Sequence, residues 1–240
     1  MKAKAQTSQP AVSPARAAAF DILLRVESES SYASELLHSR TYDRLTAADH
    51  SLTTELVMGV LRWRPLLDSQ IAVNSAQPLS KLDLEILTAL RLAVYQLRWL
   101  SRIPARAAIN ESVELVKRAR KRSAAPFVNA VLRKLLAGVP QVEDSQHAIS
   151  GASSETLAAS SAHPLWLVER WVQAYGIDFA LRICQQDQSV PATAVRIRRP
   201  EAEGQLCAEG IELAPGTFLA SARRVEHGDI TKTATLRAGL

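Results

Sequence analysis

The chain has 240 residues, 47% of them hydrophobic, and its 29 Lys and Arg against 24 Asp and Glu leave a net charge of +5. A sizeable core and a 22% charged fraction exclude a disordered polyelectrolyte, and the length fits one large domain or two modest ones. Nine glycines, about half the usual share, disfavour barrels and sandwiches, while two cysteines, Cys184 and Cys207, supply neither a disulfide framework nor a four-thiolate zinc site.

Residues 1–13 read as a loose tail, because the first nineteen positions carry no apolar run of the kind a secretory signal needs. The most apolar stretch, 82–100, is interrupted by Asp83, Glu85, Arg91 and Arg98, so it is no membrane span. A soluble, cytoplasmic protein with reduced thiols is expected, with no membrane and no metal partner.

From Ser13 to Gly138 the apolar periodicity is helical throughout. Ser13-Pro14 is a cap followed by a first-turn proline, after which Phe20, Leu23 and Leu24 share a face. A short helix follows over 32–40. A third begins at Thr46, capped with Asp49, and carries Leu52, Leu56, Val57, Val60 and Leu61 up to Pro65, where it is expected to stop. A fourth covers 65–73. The fifth begins at Ser80 and is broad-faced, with Ile86, Leu90, Ala93 and Leu97, and is therefore central. The sixth opens at Pro104 and the seventh at Pro126, the latter ended by Gly138 and Pro140. Seven helices with short joints predict an all-α helical bundle over 14–138.

The serine-rich stretch 139–162 has no sustained period and reads as a linker or weakly helical connector. Beyond it, His163-Pro164 leads into a helix ending at Gly176, a second helix covers about 178–188, and Thr193–Ile197 reads as a strand. A helix over 201–209 and turns at Gly210, Gly216, Gly228 and Gly239 make residues 163–240 a small α+β domain.

Charge is uneven. Between Arg98 and Lys134 stand ten cations and two acids, a local +8 that leaves −3 for the remainder. Lys117, Arg118, Arg120, Lys121 and Arg122 occupy five of six successive positions. Their mutual repulsion is relieved by phosphates, which favours a nucleic-acid surface; equally, cations at a helix C-terminus complement the macrodipole. Trp63, Trp99, Trp166 and Trp171 are read as core residues. The five histidines show no metal-ligand pairing, no Gly-rich phosphate loop is present, and both cysteines read as small core residues, so no catalytic residue, cofactor site or metal site is assigned.

Several strings in this order carry a resemblance: Arg16-Ala17-Ala18-Ala19, Glu55-Leu56-Val57-Met58-Gly59-Val60-Leu61-Arg62, Leu90-Arg91-Leu92-Ala93-Val94-Tyr95, Ile103-Pro104, Asn110-Glu111-Ser112-Val113-Glu114 and Phe127-Val128-Asn129-Ala130-Val131-Leu132-Arg133. They resemble the NusB-like RNA-binding domain, in the version found at the front of the RsmB (Sun, Fmu) family of ribosomal RNA cytosine-C5 methyltransferases. His163-Pro164-Leu165-Trp166, Val195-Arg196-Ile197 and Gly228-Asp229-Ile230 resemble the small pre-catalytic domain of the same enzymes.

The resemblance implies a chain that binds and orients small-subunit ribosomal RNA for S-adenosylmethionine-dependent methylation by a catalytic domain absent from it. This polypeptide is expected to be inactive alone and to hold no cofactor itself. Arg16, Lys117, Arg118, Arg120, Lys121, Arg122, Arg133 and Arg196 are the candidate RNA-binding residues. A NusB-like antitermination adaptor without enzymatic activity is the alternative. Gly59 lies inside a helix, where it costs about 1 kcal/mol relative to alanine, so close helix packing is its expected reason. Asn110, Glu111 and Asn129 are expected to hydrogen-bond across helices, and Arg62 and Arg133 either cap carbonyls or reach phosphate.

Overall fold

The computed structural model describes residues 12–138 and 153–239 and divides into two compact units, 1–185 and 186–240. Residues 1–11 of the expected tail 1–13 and residues 139–152 of the connector 139–162 lie outside the described residues.

In the first unit, α1 (Pro14–Glu29) buries Phe20, Ile22 and Leu23, as its spacing requires. The short α2 (Ala33–Leu37) contributes Leu36 and Leu37. Helix α3 (Ala47–Asn74) starts where Thr46 accepts a hydrogen bond from the Asp49 amide at 3.1 Å. It then runs straight through Pro65, so the two helices expected on either side of that proline are one, and the bundle has six α-helices, not seven. The reason is packing. Leu56, Val60, Leu67 and Ile71 are all buried and continue one stripe across the proline, while Pro65 itself is exposed, where water can serve the carbonyl that loses its donor.

Helix α4 (Leu84–Trp99) is the central element: residues 88–96 are buried without interruption. Two of its buried polar groups, Arg91 and Gln96, are paired. Arg91 donates to both oxygens of Asp68 at 2.7 Å, and the Gln96 amide donates to the Leu92 carbonyl at 2.9 Å. Helices α5 (Ala105–Arg118) and α6 (Ala125–Gly138) close the bundle with Leu115, Val116, Val128, Val131 and Leu132 in one continuous core.

Gly59 of α3 is where the Tyr95 ring of α4 crosses: a Cβ there would stand 2.0 Å from Tyr95 Cζ. Close helix packing is therefore the reason for this glycine. The same crossing lets the Tyr95 hydroxyl donate to Glu55 Oε1 at 2.6 Å. Burial, reinforced by that bond, pushes the Tyr95 phenol well above its ordinary pKa.

The connector's end is helical: α7 (Ser154–Ser161) is capped by Ser153 and packs Leu157 and Ala158 with Val168 of α8 (Leu165–Tyr175) and Ala180 and Cys184 of α9 (Ile177–Gln188). The second unit holds β1 (Ala194–Arg196), α10 (Pro200–Ala208), β2 (Glu212–Pro215), β3 (Ala222–His227) and the short α11 (Ala234–Arg237). Its antiparallel sheet has the order β1-β3-β2, with Val195 opposite Arg223, and one face packs Ile197, Ala202, Leu206, Ile211 and Ile230 together. Residues 12–138 therefore form the expected helical bundle, and a small α+β unit occupies 186–240, with residues 163–185 of the expected α+β domain falling in the first unit. Cys207 is a correction: it is exposed on α10, whereas Cys184 is buried as expected.

Candidate nucleic-acid interface

The basic run falls at one corner of the bundle, where α5 ends and a 3-10 turn over residues 122–124 leads into α6. Helix α5 closes with the Ala119 amide on the Leu115 carbonyl and the Lys121 amide on the Val116 carbonyl. That closure needs a left-handed residue, and Arg120 takes the role at φ 62° without being glycine. A non-glycine residue there costs about 1 kcal/mol, and its effect is to turn the Arg120 side chain out of the helix at an exposed position.

The cations of this corner divide into two kinds. Arg118 forms a two-pronged ion pair with Asp21 of α1 at 3.0 and 2.6 Å, and that carboxylate raises its pKa further. Lys121 sits 2.8 Å from Asp83 and 4.0 Å from Glu85, which raise its pKa in the same way. Lys117 pairs with Glu114 at 2.7 Å on its own helix. Arg120 and Arg122 have no acidic partner among the described residues. An open groove of about 660 Å³ runs along this corner, lined by Val12, Ala17, Glu114, Lys117, Arg118 and Arg122. Arg133 is exposed on α6, where its Nε donates to Asn129 Oδ1 at 3.2 Å, a bond within one helix. Of the three polar residues expected to bond across helices, Glu111 does so: it accepts from the Ser13 amide at 2.8 Å and pairs with Arg16 of α1, whereas the Asn129 bond stays within α6.

Two candidates stand apart. Arg16 is only 7% exposed: its Nε donates to Gln96 Oε1 at 2.6 Å and its Nη1 lies 3.0 Å from Glu111. It ties α1 to α4 and α5 and is not a surface cation, which corrects the sequence-based assignment. Arg196 belongs to the second unit, exposed on β1 opposite Ala222.

A second cationic locus was not separated from the first by sequence. Helix α5 is about 20 Å long, so Arg98, Arg102 and Arg106, around the turn between α4 and α5, stand at its opposite end from Arg120 and Arg122. Arg98 is half-buried, lies 5.5 Å from the centroid of the Trp99 ring, and has its pKa lowered by burial. Trp99 stacks on Trp63 at 4.8 Å and on Tyr95 at 5.2 Å. Trp63 and Trp99 are thus rim residues, partly exposed, and Trp166 is 63% exposed, which corrects its reading as core. Among the described residues no cluster of His, Cys, Asp and Glu has the makings of a metal site, and no helix is long and apolar enough to cross a membrane.

The fold is an all-α bundle with a charged corner, followed by a small α+β unit. Residues 13–137 match the model of the NusB family, and the chain belongs to that family. Beyond this domain, it is similar to the probable ribosomal RNA small subunit methyltransferase B of Bacillus subtilis (strain 168), at 33% identity over 222 residues, 90% of this chain and 48% of the relative. The transcription antitermination protein NusB of Lacticaseibacillus casei (strain BL23) is 32% identical over 128 residues, 52% of this chain and 94% of that protein. The crystal structure of PH0851 superposes with a TM-score of 0.63 at 14% identity, covering 94% of this chain and 52% of that one, a likeness of fold. The chain spans about half the length of the methyltransferase relatives it matches.

Proposed function

We propose that this chain is the RNA-binding portion of a small-subunit ribosomal RNA methyltransferase, acting in the cytoplasm. The bundle grips ribosomal RNA, and the transfer of a methyl group from S-adenosylmethionine to cytosine C5 is performed by a catalytic domain outside the 240 residues. No described residue is assigned to that cofactor. Its carboxylate calls for a run of backbone donors at a Gly-rich turn, whereas the positive-φ glycines here are isolated at 176, 210, 228 and 239.

One observation carries the reading: on a NusB-family domain, the unpaired Arg122 lines a groove already bordered by Lys117 and Arg118, and the unpaired, exposed Arg120 stands at the same helix end. Such cations gain most from phosphate, because neither an ion pair has to be broken nor a buried group exposed. Arg133 and Arg196 extend the proposed contact set; Arg16 leaves it. The match to relatives across both units supports the methyltransferase reading over an antitermination adaptor, whose relative covers only the bundle.

The test is titration of the full chain with a small-subunit ribosomal RNA fragment at several salt concentrations. Replacing Lys117, Arg118, Arg120, Lys121 and Arg122 by alanine should weaken binding and flatten its salt dependence. Unchanged affinity refutes the assignment.

A further inference from the structure

Eight of the ten cations of 98–134 form two loci, five at one and three at the other, and the loci differ in chemistry. At the α5–α6 corner, Glu114, Asp21 and Asp83 neutralise three of the five clustered cations. At the α4–α5 turn, Arg98, Arg102 and Arg106 have no acidic partner among the described residues. A half-buried guanidinium without a carboxylate is costly, because water has been removed from it and no anion has replaced it. Arg98 is such a group, and it lies against the three-ring run Tyr95, Trp99 and Trp63. That run ends on Trp63, which is partly exposed and has no further ring or cation on it among the described residues.

From this juxtaposition we infer that the α4–α5 turn is a binding site for unpaired, single-stranded RNA, with a base stacked on Trp63 and adjacent phosphates held by Arg98 and Arg102. The two ingredients are those such recognition needs. Stacking on an aromatic face is sequence-tolerant, because every base has a π-face, and a neighbouring cation tracks the backbone. A duplex hides its base faces and gains only the charge term, so the site discriminates between the two forms. The groove at the other corner is lined by no aromatic ring among the described residues and has no such preference. The bundle then holds a folded transcript at two points, one reading charge and one reading an exposed base. This rests on the RNA-binding reading above and adds the class of RNA and a second locus.

The experiment uses the full chain and a single-stranded oligouridylate about ten nucleotides long, the span of an ordinary single-strand site. Arg98→Gln combined with Arg102→Gln should lower its affinity about tenfold. With two phosphates no longer neutralised, the slope of log K against log salt should fall by about 1.4. Arg120→Gln with Arg122→Gln should weaken oligouridylate and duplex RNA to a similar extent, whereas the Arg98/Arg102 pair should weaken oligouridylate more than duplex. Independently of the arginine variants, the oligouridylate should quench tryptophan emission in the parent chain. Trp63→Phe should remove that quenching and Trp166→Phe should keep it. If the Arg98/Arg102 variant binds like the parent while the Arg120/Arg122 variant loses RNA, the second locus is refuted and the RNA-binding reading stands. If neither pair changes any RNA affinity, both fall. Quenching that persists in Trp63→Phe removes the stacking role.

Discussion

Gly59→Ala tests the packing that sets α3 against α4. A methyl group at this position would stand 2.0 Å from Tyr95 Cζ, 2.3 Å from its hydroxyl oxygen and 2.5 Å from Cε1. All are far inside contact distance, so the ring must leave. Tyr95 is 3% exposed and stacked on Trp99, so it has nowhere to swing without disturbing the core. Overpacking of this kind costs about 1–3 kcal/mol. Losing the hydrogen bond to Glu55 adds about 1–2 kcal/mol, at the lower end because that carboxylate remains partly solvated. Against these, alanine in a helix interior gains about 1 kcal/mol over glycine. The net is a loss of about 1–3 kcal/mol, or a fall in Tm of roughly 2–12 °C for a unit of this size. Thermal unfolding followed by circular dichroism measures it. In a Tyr95→Leu background the obstruction is gone, and Gly59→Ala should then be neutral or stabilising by about 1 kcal/mol. A Gly59→Ala chain as stable as its parent, or an equal loss in both backgrounds, refutes the reasoning.

Further outcomes follow from other sites. Asp21→Asn releases Arg118 from its ion pair, so RNA affinity should rise several-fold with a steeper salt dependence; a fall would show that the pair positions Arg118 for RNA. Arg16→Ala leaves Glu111 and Gln96 without their partner and should cost about 3 kcal/mol in denaturant unfolding, while the folded fraction binds RNA normally. In the second unit, Arg223 holds the Glu203 carboxyl below its ordinary 4.5, and Thr235 does the same for Glu209. A carboxyl depressed in the folded state stabilises above its unfolded pKa and loses that contribution as pH falls through the folded one. Stability of this unit should therefore decline below pH 4.5, and a flat profile from there downward would contradict the pairing.

The sequence carried the helices well wherever local spacing decides them. Phe20, Leu23 and the Thr46 cap fall where periodicity and capping place them. Pro65 misled, because a proline's local cost is visible in sequence whereas the stripe Leu56, Val60, Leu67 and Ile71 that outweighs it is credited only once α4 is packed against it. Gly59 announced a close approach without naming Tyr95 as the group that approaches. The charge signal was similarly half legible. A run of cations is local, but the acids that neutralise Arg118 and Lys121 come from Asp21 and Asp83, in elements remote in sequence. Arg16 was misread for the same reason: its partners lie on α4 and α5, 80 residues away in the case of Gln96. The split of 98–134 into two loci had no local signal at all, since it comes from the length of α5 lying between them.

The most direct measurement is the affinity of the 240-residue chain for a small-subunit ribosomal RNA fragment between low and moderate salt. The account predicts saturable binding whose log K falls linearly with log salt, and a smaller slope once Arg120 and Arg122 are replaced by glutamine. No binding even at low salt, or binding with a slope that ignores both arginines, would contradict it.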